Sequence, residues 1–546
     1  MSTTTMGSEK TPINLHRGWP STSLLPVEPL KKAAQAALSR EAIRTPSSAL
    51  LYAPDPGLQE LREVLAGWLG QFYGAPHSGD DGSTTKTTTK ATAAAAVADQ
   101  ITITGGASQS LANVLASFTD PSYTRAVWMV APAYFLACPI MADAGFGAPT
   151  GKMRAVPEDD EGIDLDFLSA GLKRMDQSSH EDDCDRHQQA ENSSNSERTG
   201  HGQQPLYKDP YPYRKIYRHV IYCVPTFANP SGKTMSLRRR RRLVELAREH
   251  DALVVCDDVY DMLQWSTAID SSEEADLNRA ILPRLVDIDL SLGPSEHDRA
   301  LSVSTSSSGG GTATTINATG GTSPTAAQSK HFGHAISNGS FSKLAGPGLR
   351  TGWTQSTADF ALGLSQTGAT RSGGAPSQFT ASIVCELLRS GELQREIESV
   401  LRPAFRRRHG LIMRAVEDHL TEPFGVAVGS GRLDGGVFGG YFIWLTLPVG
   451  TDKGPFPGAR AIAERCKRDE ELIVGYGGMF EVQGDEDAVK LDHAIRLCFA
   501  WEEEGNLVQG VERMGRAIKR MLEEGPSSWQ GVGEGEGNGR GADEQK

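Results

Sequence analysis

Lys343 lies in the stretch Ser337–Trp353, SNGSFSKLAGPGLRTGW, with Ser340 and Ser342 before it, Gly346-Pro347-Gly348 after it and Arg350 seven residues on. A primary amine among small residues can form a Schiff base with a carbonyl group, and two hydroxyls with a guanidinium can hold a dianion. Glycines let the backbone approach both. A lysine beside serines is more often a solvated surface charge, so the reading depends on what other segments supply. Asp257-Asp258-Val259-Tyr260 closes the apolar run Ala252–Cys256, and open α/β sheets place ligands at the C-terminal ends of strands. The alternative for such an aspartate pair is a helix cap or a solvated turn. Arg496 sits inside the apolar run AIRLCFA, where an unpaired guanidinium would be costly. Ile101–Thr104 followed by Gly105-Gly106-Ala107-Ser108 and the apolar SLANVLASF reads as strand, turn and helix N-terminus. Its free N–H groups and dipole would favour an anion, although a plain strand–helix turn has the same letters.

Several elements must position these residues. Strands are expected at Ile101–Thr104, Ala126–Val130, His219–Val224, Ala252–Cys256, Ala335–Ile336 and within Gly439–Pro448 and Ala494–Ala500. Helices are expected after Gly57, with Leu58, Leu61, Val64, Leu65 and Leu69 on one face, at 237–250, and at 503–523 with a stripe of Leu507, Val511, Met514, Ile518 and Leu522. Three segments interrupt the pattern: 78–99, 176–206 and 266–330, rich in Thr, Lys, Ser, Gly and acidic residues and expected to be disordered. Within 266–330, Leu277, Leu282 and Leu285 leave room for a docked helix. The second segment holds His180, Asp182, Asp183, Cys184 and His187; it is read as a linker, and no metal is expected.

The stretch around Lys343 resembles the Schiff-base segment of class I/II aminotransferases, the fold-type-I enzymes that use pyridoxal 5'-phosphate. That family carries S-F-S-K and P-G-L-R-x-G-[YW], matched here by SFSK at 340–343 and PGLRTGW at 347–353. Pro225–Gly232, PTFANPSG, is similar to its P-x-x-x-N-P-[ST]-G loop, Asp257–Tyr260 to D-[DE]-x-Y, and Tyr52, Gly57, Leu61 and Arg62 to Y-x-x-x-x-G-x-x-x-L-R. The resemblance implies that Lys343 carries the cofactor, that Asp257 faces the pyridine nitrogen, and that Asn229 and Tyr260 face the ring's 3'-oxygen. A carboxylate opposite that nitrogen keeps it protonated, so the ring can accept electrons from the substrate. Tyr134, in APAYF, would stack on the ring. Gly106, Ala107, Ser108, Ser340, Ser342 and Arg350 would hold the phosphate, joined by Tyr52 from the other subunit of a homodimer. Arg496, in R-L-x-F, would bind the substrate carboxylate beside Asn229. His16, Arg17, Gly18 and Trp19 would face the substrate, with Arg17 able to meet a distal carboxylate. Arg371, Ser372 and Gly373 take a position that can touch the other subunit's cofactor.

The resemblance covers roughly 400 residues, a size normal for one two-domain α/β subunit. It implies an α/β fold: a large domain at 51–365 with a mainly parallel sheet between helices, and a small α+β domain at 366–524 joined by the segment 13–50. Residues 1–12 and 525–546 are expected to be disordered tails. The expected function is transfer of an amino group from an L-amino acid to a 2-oxo acid such as 2-oxoglutarate. The RGWP, NPSG and PGLR segments are similar to those of 2-aminoadipate and aromatic aminotransferases. A lyase of the same fold, or a catalytically silent protein that binds pyridoxal phosphate, are the alternatives.

Bulk properties narrow the partners. The formal net charge of −13 over 546 residues opposes a nucleic-acid or anionic-membrane surface. The arginine run Arg238–Arg242 is read as a solvated helix face rather than a targeting patch. Seven cysteines without C-x-x-C spacing suggest reduced thiols. No apolar run approaches the ~18 residues of a membrane helix, and the N-terminus lacks a signal-peptide core, so a cytoplasmic protein is expected.

Overall fold

The computed structural model describes residues 10–44, 48–74, 97–177, 208, 213–266, 276–307, 314–316, 322–324, 330–429, 436–451 and 454–529. The frame of the fold is an eight-stranded sheet. Its order is Ile101–Thr104, Gly352–Gln355, Ala335–Ser340, Ala252–Asp257, His219–Cys223, Ala126–Ala131, Met153–Asp159 and Gly162–Ile163. The strands from Ala335–Ser340 to Met153–Asp159 run parallel, while Gly352–Gln355 is antiparallel to both neighbours.

A parallel sheet is covered on both faces, and its strands are therefore apolar along their whole length rather than at alternate positions. Every residue of Ala252–Asp257 and of His219–Cys223 is buried. On one face Leu111, Val114 and Leu115 of helix Ala107–Phe118 pack on Val220, Val255 and Ile336. On the other, Leu243, Val244 and Ala247 of helix Leu237–Glu249 pack on Ile221, Val254 and Cys256. Successive strand residues thus serve opposite faces.

A second, antiparallel sheet orders Ala427–Val428, Phe442–Thr446, Ala494–Cys498 and Gly475–Tyr476. Helix Glu504–Glu524 buries Leu507, Val511, Met514 and Ile518; its stripe continues at Met521, with Leu522 only partly buried. The N-terminal segment is anchored here. Ile13–Asn14 pairs in parallel with Leu472–Ile473, Lys10 meets Glu470 at 2.8 Å, and Arg513 donates to the Thr11 carbonyl at 2.8 Å.

Several expectations of disorder need correction. Lys10 and Thr11 are docked as just described. At the other end, Gly525–Trp529 continues from the last helix, with the Trp529 indole donating to the Met521 carbonyl at 3.3 Å. In the first insertion, Ala98 is buried and Asp99 pairs with Arg62 at 3.3 Å. Asp176 lies in a helix over 165–177 and accepts from His250 Nδ1 at 2.7 Å. The segment 266–330 departs furthest. Ser266 pairs with Val437, and helices Leu285–Ser291 and Glu296–Ser307 dock on the sheet. Buried Asp289 takes Arg248 at 2.7 Å and the His334 N–H at 2.6 Å; buried Asp298 lies 3.7 Å from Lys215. Leu285, the residue that left room for a docked helix, is buried at the start of the first of these helices, while the polar docking through Asp289 and Asp298 has no apolar periodicity to read. Thr314–Ile316 and Thr322–Pro324 also pair. His180, Asp182, Asp183, Cys184 and His187 lie outside the described residues, as do 78–96, the rest of 178–206, 267–275, 308–313, 317–321 and 325–329.

The arginine run is not simply solvated either. Consecutive helix positions turn by about 100° each, and two of the five point inward. Arg239 binds Asp159 at 2.7 Å, and buried Arg240 donates to the Pro225, Met235 and Pro283 carbonyls at 3.0 Å and to Thr226 at 2.8 Å. Arg240 therefore braces the start of the loop that carries Asn229.

Candidate active site

The parallel strands end together, and their register decides which side chains meet. Asn338 pairs with Asp257, and Cys223 with Cys256, which puts Tyr222, Asp257 and the segment after Ser340 at one edge of the sheet. Ser340 caps a short helical turn, Phe341–Lys343, by accepting from the Ser342 N–H at 3.2 Å. That turn directs Lys343 into the site. Its Nζ donates to the Gly18 carbonyl at 2.8 Å and lies 5.9 Å and 5.4 Å from the ring centres of Tyr260 and Tyr441. The Tyr441 hydroxyl fixes the Lys343 carbonyl at 3.1 Å. Burial of the amine lowers its pKa to about 8 against the opposing pull of Cys498 and Asp257; Arg496 adds to the lowering.

Asp257 is buried at the end of its strand. Its Oδ2 accepts from the Tyr222 hydroxyl at 2.8 Å, while Oδ1 is buried with no hydrogen-bond partner among the described residues. Burial raises its pKa to about 6, opposed by the Tyr222 bond and by Lys343. Tyr134 is half-buried nearby, its phenol pushed up to about 12 by burial and then by Asp257. Tyr260 is buried between Tyr441 and Phe442, with ring centres at 5.4 Å and 6.0 Å.

Arg496 comes from the middle of the antiparallel sheet. Its Nη1 donates to Asn229 Oδ1 at 2.7 Å, and its Nη2 to the His16 carbonyl at 2.5 Å and His16 Nδ1 at 3.2 Å. The guanidinium carbon lies 4.3 Å from the ring centre of Phe442 and 4.7 Å from that of Phe480. Nε is buried with no partner among the described residues, and burial lowers the Arg496 pKa to about 10. His16 is neutral: burial, then Arg496 and Arg17, lower its pKa to about 3. It can come this close because residue 475 is glycine; a Cβ there would stand 2.8 Å from His16 Nδ1.

A third group gathers at the N-terminus of helix Ala107–Phe118. Gly106, at φ 100°, is its N-cap, and a Cβ there would lie 2.9 Å from Arg350 Nη2. Arg350, itself at φ 46°, donates to the Gly105 carbonyl at 2.9 Å and reaches Ser342 at 3.5 Å. A non-glycine residue in the left-handed region costs on the order of 1 kcal/mol and persists where its surroundings hold it. Asn338 Nδ2 donates to the Ala107 carbonyl at 3.0 Å, and Ser108 is exposed at the first turn.

The structure thus brings together Lys343, Asp257, Tyr134, Tyr260, Asn229, Arg496 and Gly18, with Gly106, Ala107, Ser108, Ser340, Ser342 and Arg350 alongside. Tyr52 does not join them within one chain; it is 85% exposed, against Gly373. Arg17 packs its guanidinium 4.7 Å from the Trp19 ring centre and 5.0 Å from that of Trp501. Tyr222, Tyr441 and Trp501 escaped sequence reading. Tyr222 and Tyr441 look like ordinary strand aromatics, and their hydroxyl partners are distant in sequence; Trp501 adjoins an apolar strand end and carries no motif.

These groups fit a flat, phosphate-bearing carbonyl cofactor. The open Oδ1 of Asp257 can accept from a ring N–H, the Lys343 amine can reach a carbonyl carbon, and the helix N-terminus with Arg350 can take a dianion.

Residues 11–286 match the family model for aminotransferase class I and II. An uncharacterized protein of Saccharomyces cerevisiae is 33% identical over 93% of this chain and 97% of its own length. A 2-aminoadipate transaminase of Thermus thermophilus is 23% identical over 92% of this chain and 89% of its own. Aromatic-amino-acid aminotransferase 1 of Thermococcus litoralis is 22% identical over 93% and 88%. Among solved structures, the multiple substrate aminotransferase of Thermococcus profundus superposes with a TM-score of 0.63 at 22% identity, covering 94% of this chain and 93% of that one. The Thermus thermophilus alpha-aminoadipate aminotransferase, complexed with N-(5'-phosphopyridoxyl)-L-leucine, gives 0.60 at 22% identity over 94% of each.

Proposed function

Because this chain belongs to the class I and II aminotransferases, fold-type-I transaminases that use pyridoxal 5'-phosphate, we propose that it takes the amino group of an aromatic or 2-aminoadipate-like L-amino acid and passes it to 2-oxoglutarate. The observation that carries the site assignment is the meeting, at one edge of the sheet, of Asp257 with its buried, open Oδ1 and the Ser340 turn that bears the Lys343 amine. When bound, pyridoxal phosphate supplies a ring that withdraws electrons from the substrate Cα–H bond and stores the amino group.

The protein's own residues do the rest. Asp257, ionised above about pH 6, accepts at Oδ1 and holds the ring nitrogen's proton. Lys343, poised near pH 8, takes a proton at Nζ and returns it, since a base works best with a pKa close to the working pH. Arg496, already oriented by Asn229 and His16, offers its unpaired Nε edge to the substrate carboxylate. Tyr134 would cover one face of the bound ring, and Gly106, Ala107, Ser108, Ser340, Ser342 and Arg350 would hold the phosphate.

Substrate choice falls to the N-terminal segment. Gly18 touches the reacting amine and His16 the carboxylate-binding arginine. Arg17 between Trp19 and Trp501 therefore stands where a side chain would extend, offering indole faces to an aromatic ring and a cation to a distal carboxylate. The relatives named for aromatic and 2-aminoadipate substrates support this choice. Exposed Leu50, Leu51 and Tyr52 support a homodimer in which Tyr52 serves the other copy's phosphate. The division into a cofactor-holding 51–365 and a smaller unit of 13–50 with 366–524 belongs to the same proposal. Among the described residues, no helix is long and apolar enough to cross a membrane.

A panel of amino donors against 2-oxoglutarate, scored by glutamate formed, tests the reading. Tyrosine, phenylalanine, kynurenine or 2-aminoadipate should lead. Product from a donor without any 2-oxo acid would instead indicate a lyase.

A further inference from the structure

Tyr222 is a strand residue whose hydroxyl reaches Asp257, the proposed partner of the ring nitrogen, from within the sheet. It stands on His219–Cys223, next to the Asp257 strand, and its ring is 3% exposed within the core that also holds Val220 and Val255. A buried phenol needs a partner. Here that partner is Asp257 Oδ2 at 2.8 Å, and the bond leaves Oδ1 as the carboxylate's only unfilled acceptor. The two oxygens are therefore inequivalent: one is tied to the sheet, and the other opens toward the site.

Resting on the transaminase reading above, we propose that Tyr222 is a positioning residue for the proton on the cofactor's ring nitrogen. Its hydroxyl fixes the rotation of the Asp257 carboxylate and keeps it ionised inside the protein. Without it, Oδ2 would be a buried anionic oxygen with no donor, and the carboxyl would take up a proton instead. Tyr222 donates and cannot itself supply a proton, because burial beside Asp257 holds its phenol well above the ordinary value. The other groups facing Asp257 do not replace the bond. Lys343 favours the carboxylate through space and Asp261 opposes it, while the Tyr134 and Tyr260 phenols give it no hydrogen bond. Among the described residues, the Tyr222 hydroxyl is the one hydrogen-bond donor to the Asp257 carboxylate.

Tyr222→Phe keeps the ring and its packing, so it removes the bond alone. The expected result is a rise of about one to two units in the pH at which activity falls on the acid side. The apoprotein should also bind pyridoxal phosphate about tenfold more weakly at pH 7, with the deficit shrinking above pH 8. In an Asp257→Ala background, Tyr222→Phe should change cofactor affinity by less than twofold, because the hydroxyl acts only through Asp257. A hydroxyl that serves folding alone would lower stability in urea without moving the acid limb. An unmoved limb, or an undiminished effect in the Asp257→Ala background, overturns the proposal. Failure of the wild-type protein to form glutamate from 2-oxoglutarate would overturn the transaminase reading instead, and the affinity measurements would still decide the role of Tyr222.

Discussion

The half of the site around Lys343 and Asp257 is built differently from the half around Arg496. Asp257, Tyr222 and the Ser340 turn belong to adjacent parallel strands of one sheet, held by register and buried on both faces. Arg496 stands on another sheet and reaches the site through two loops, with Asn229 on one side and His16 on the other. Strand ends in a close-packed sheet cannot shift independently, whereas loops accept substitutions that alter shape. In the proposed reading, the chemistry at the cofactor therefore rests on the parallel sheet, the shared carboxylate on Arg496, and discrimination among side chains on the N-terminal segment.

The largest expected effect lies on the sheet side. Lys343→Ala should lower glutamate formation by about 10³-fold or more, since both nucleophile and base are lost. Turnover within tenfold of the parent would remove Lys343 from the mechanism. Arg496→Ala tests whether the halves are separable. It should lower kcat/KM for every donor by about 10²–10³-fold, the value of a charge-assisted double bond to carboxylate. Cofactor affinity should stay within about twofold; collapse of both would mean that the two halves act as one.

A third test concerns stability. The Lys343 pKa is depressed in the folded chain, so the unfolded chain binds more protons between about pH 8 and the ordinary lysine value. Stability of the apoprotein should rise across that interval, and burial of the charge costs stability below pH 8. Lys343→Met should stabilise the apoprotein at pH 7 by on the order of 1–3 kcal/mol in urea unfolding, with the gain fading above pH 8. A gain that persists unchanged at pH 10 would disconnect it from the amine. The smallest effect belongs to the loops. Arg17→Ala and Trp501→Ala should alter the preference between acidic and aromatic donors by about tenfold while leaving cofactor binding alone. Equal losses for all donors would return both residues to a packing role.

Much of the sheet side was legible before any fold was known. SFSK, PGLR, NPSG and DDVY are local strings, and the apolar runs that precede them mark buried strands. In 266–330 the docked helix that Leu285 allowed is present at Leu285–Ser291, with Leu285 in the core, whereas helix Glu296–Ser307 was hidden because it is tied in through buried Asp298. Arg239 and Arg240 misled in the same way: a charge run reads as solvated unless the carbonyls that receive it are known.

Residue types and spacing along the chain determined which groups were available: an amine, a carboxylate at a strand end, a guanidinium in an apolar strand and a glycine turn before a helix. Tertiary structure decided how they are paired. Tyr222 behind Asp257, Gly18 at Lys343 and His16 at Arg496 join residues 35, 325 and 480 positions apart. Such bonds form only when sheet register and loop placement bring distant groups within about 3 Å, and no local pattern in the chain encodes that meeting.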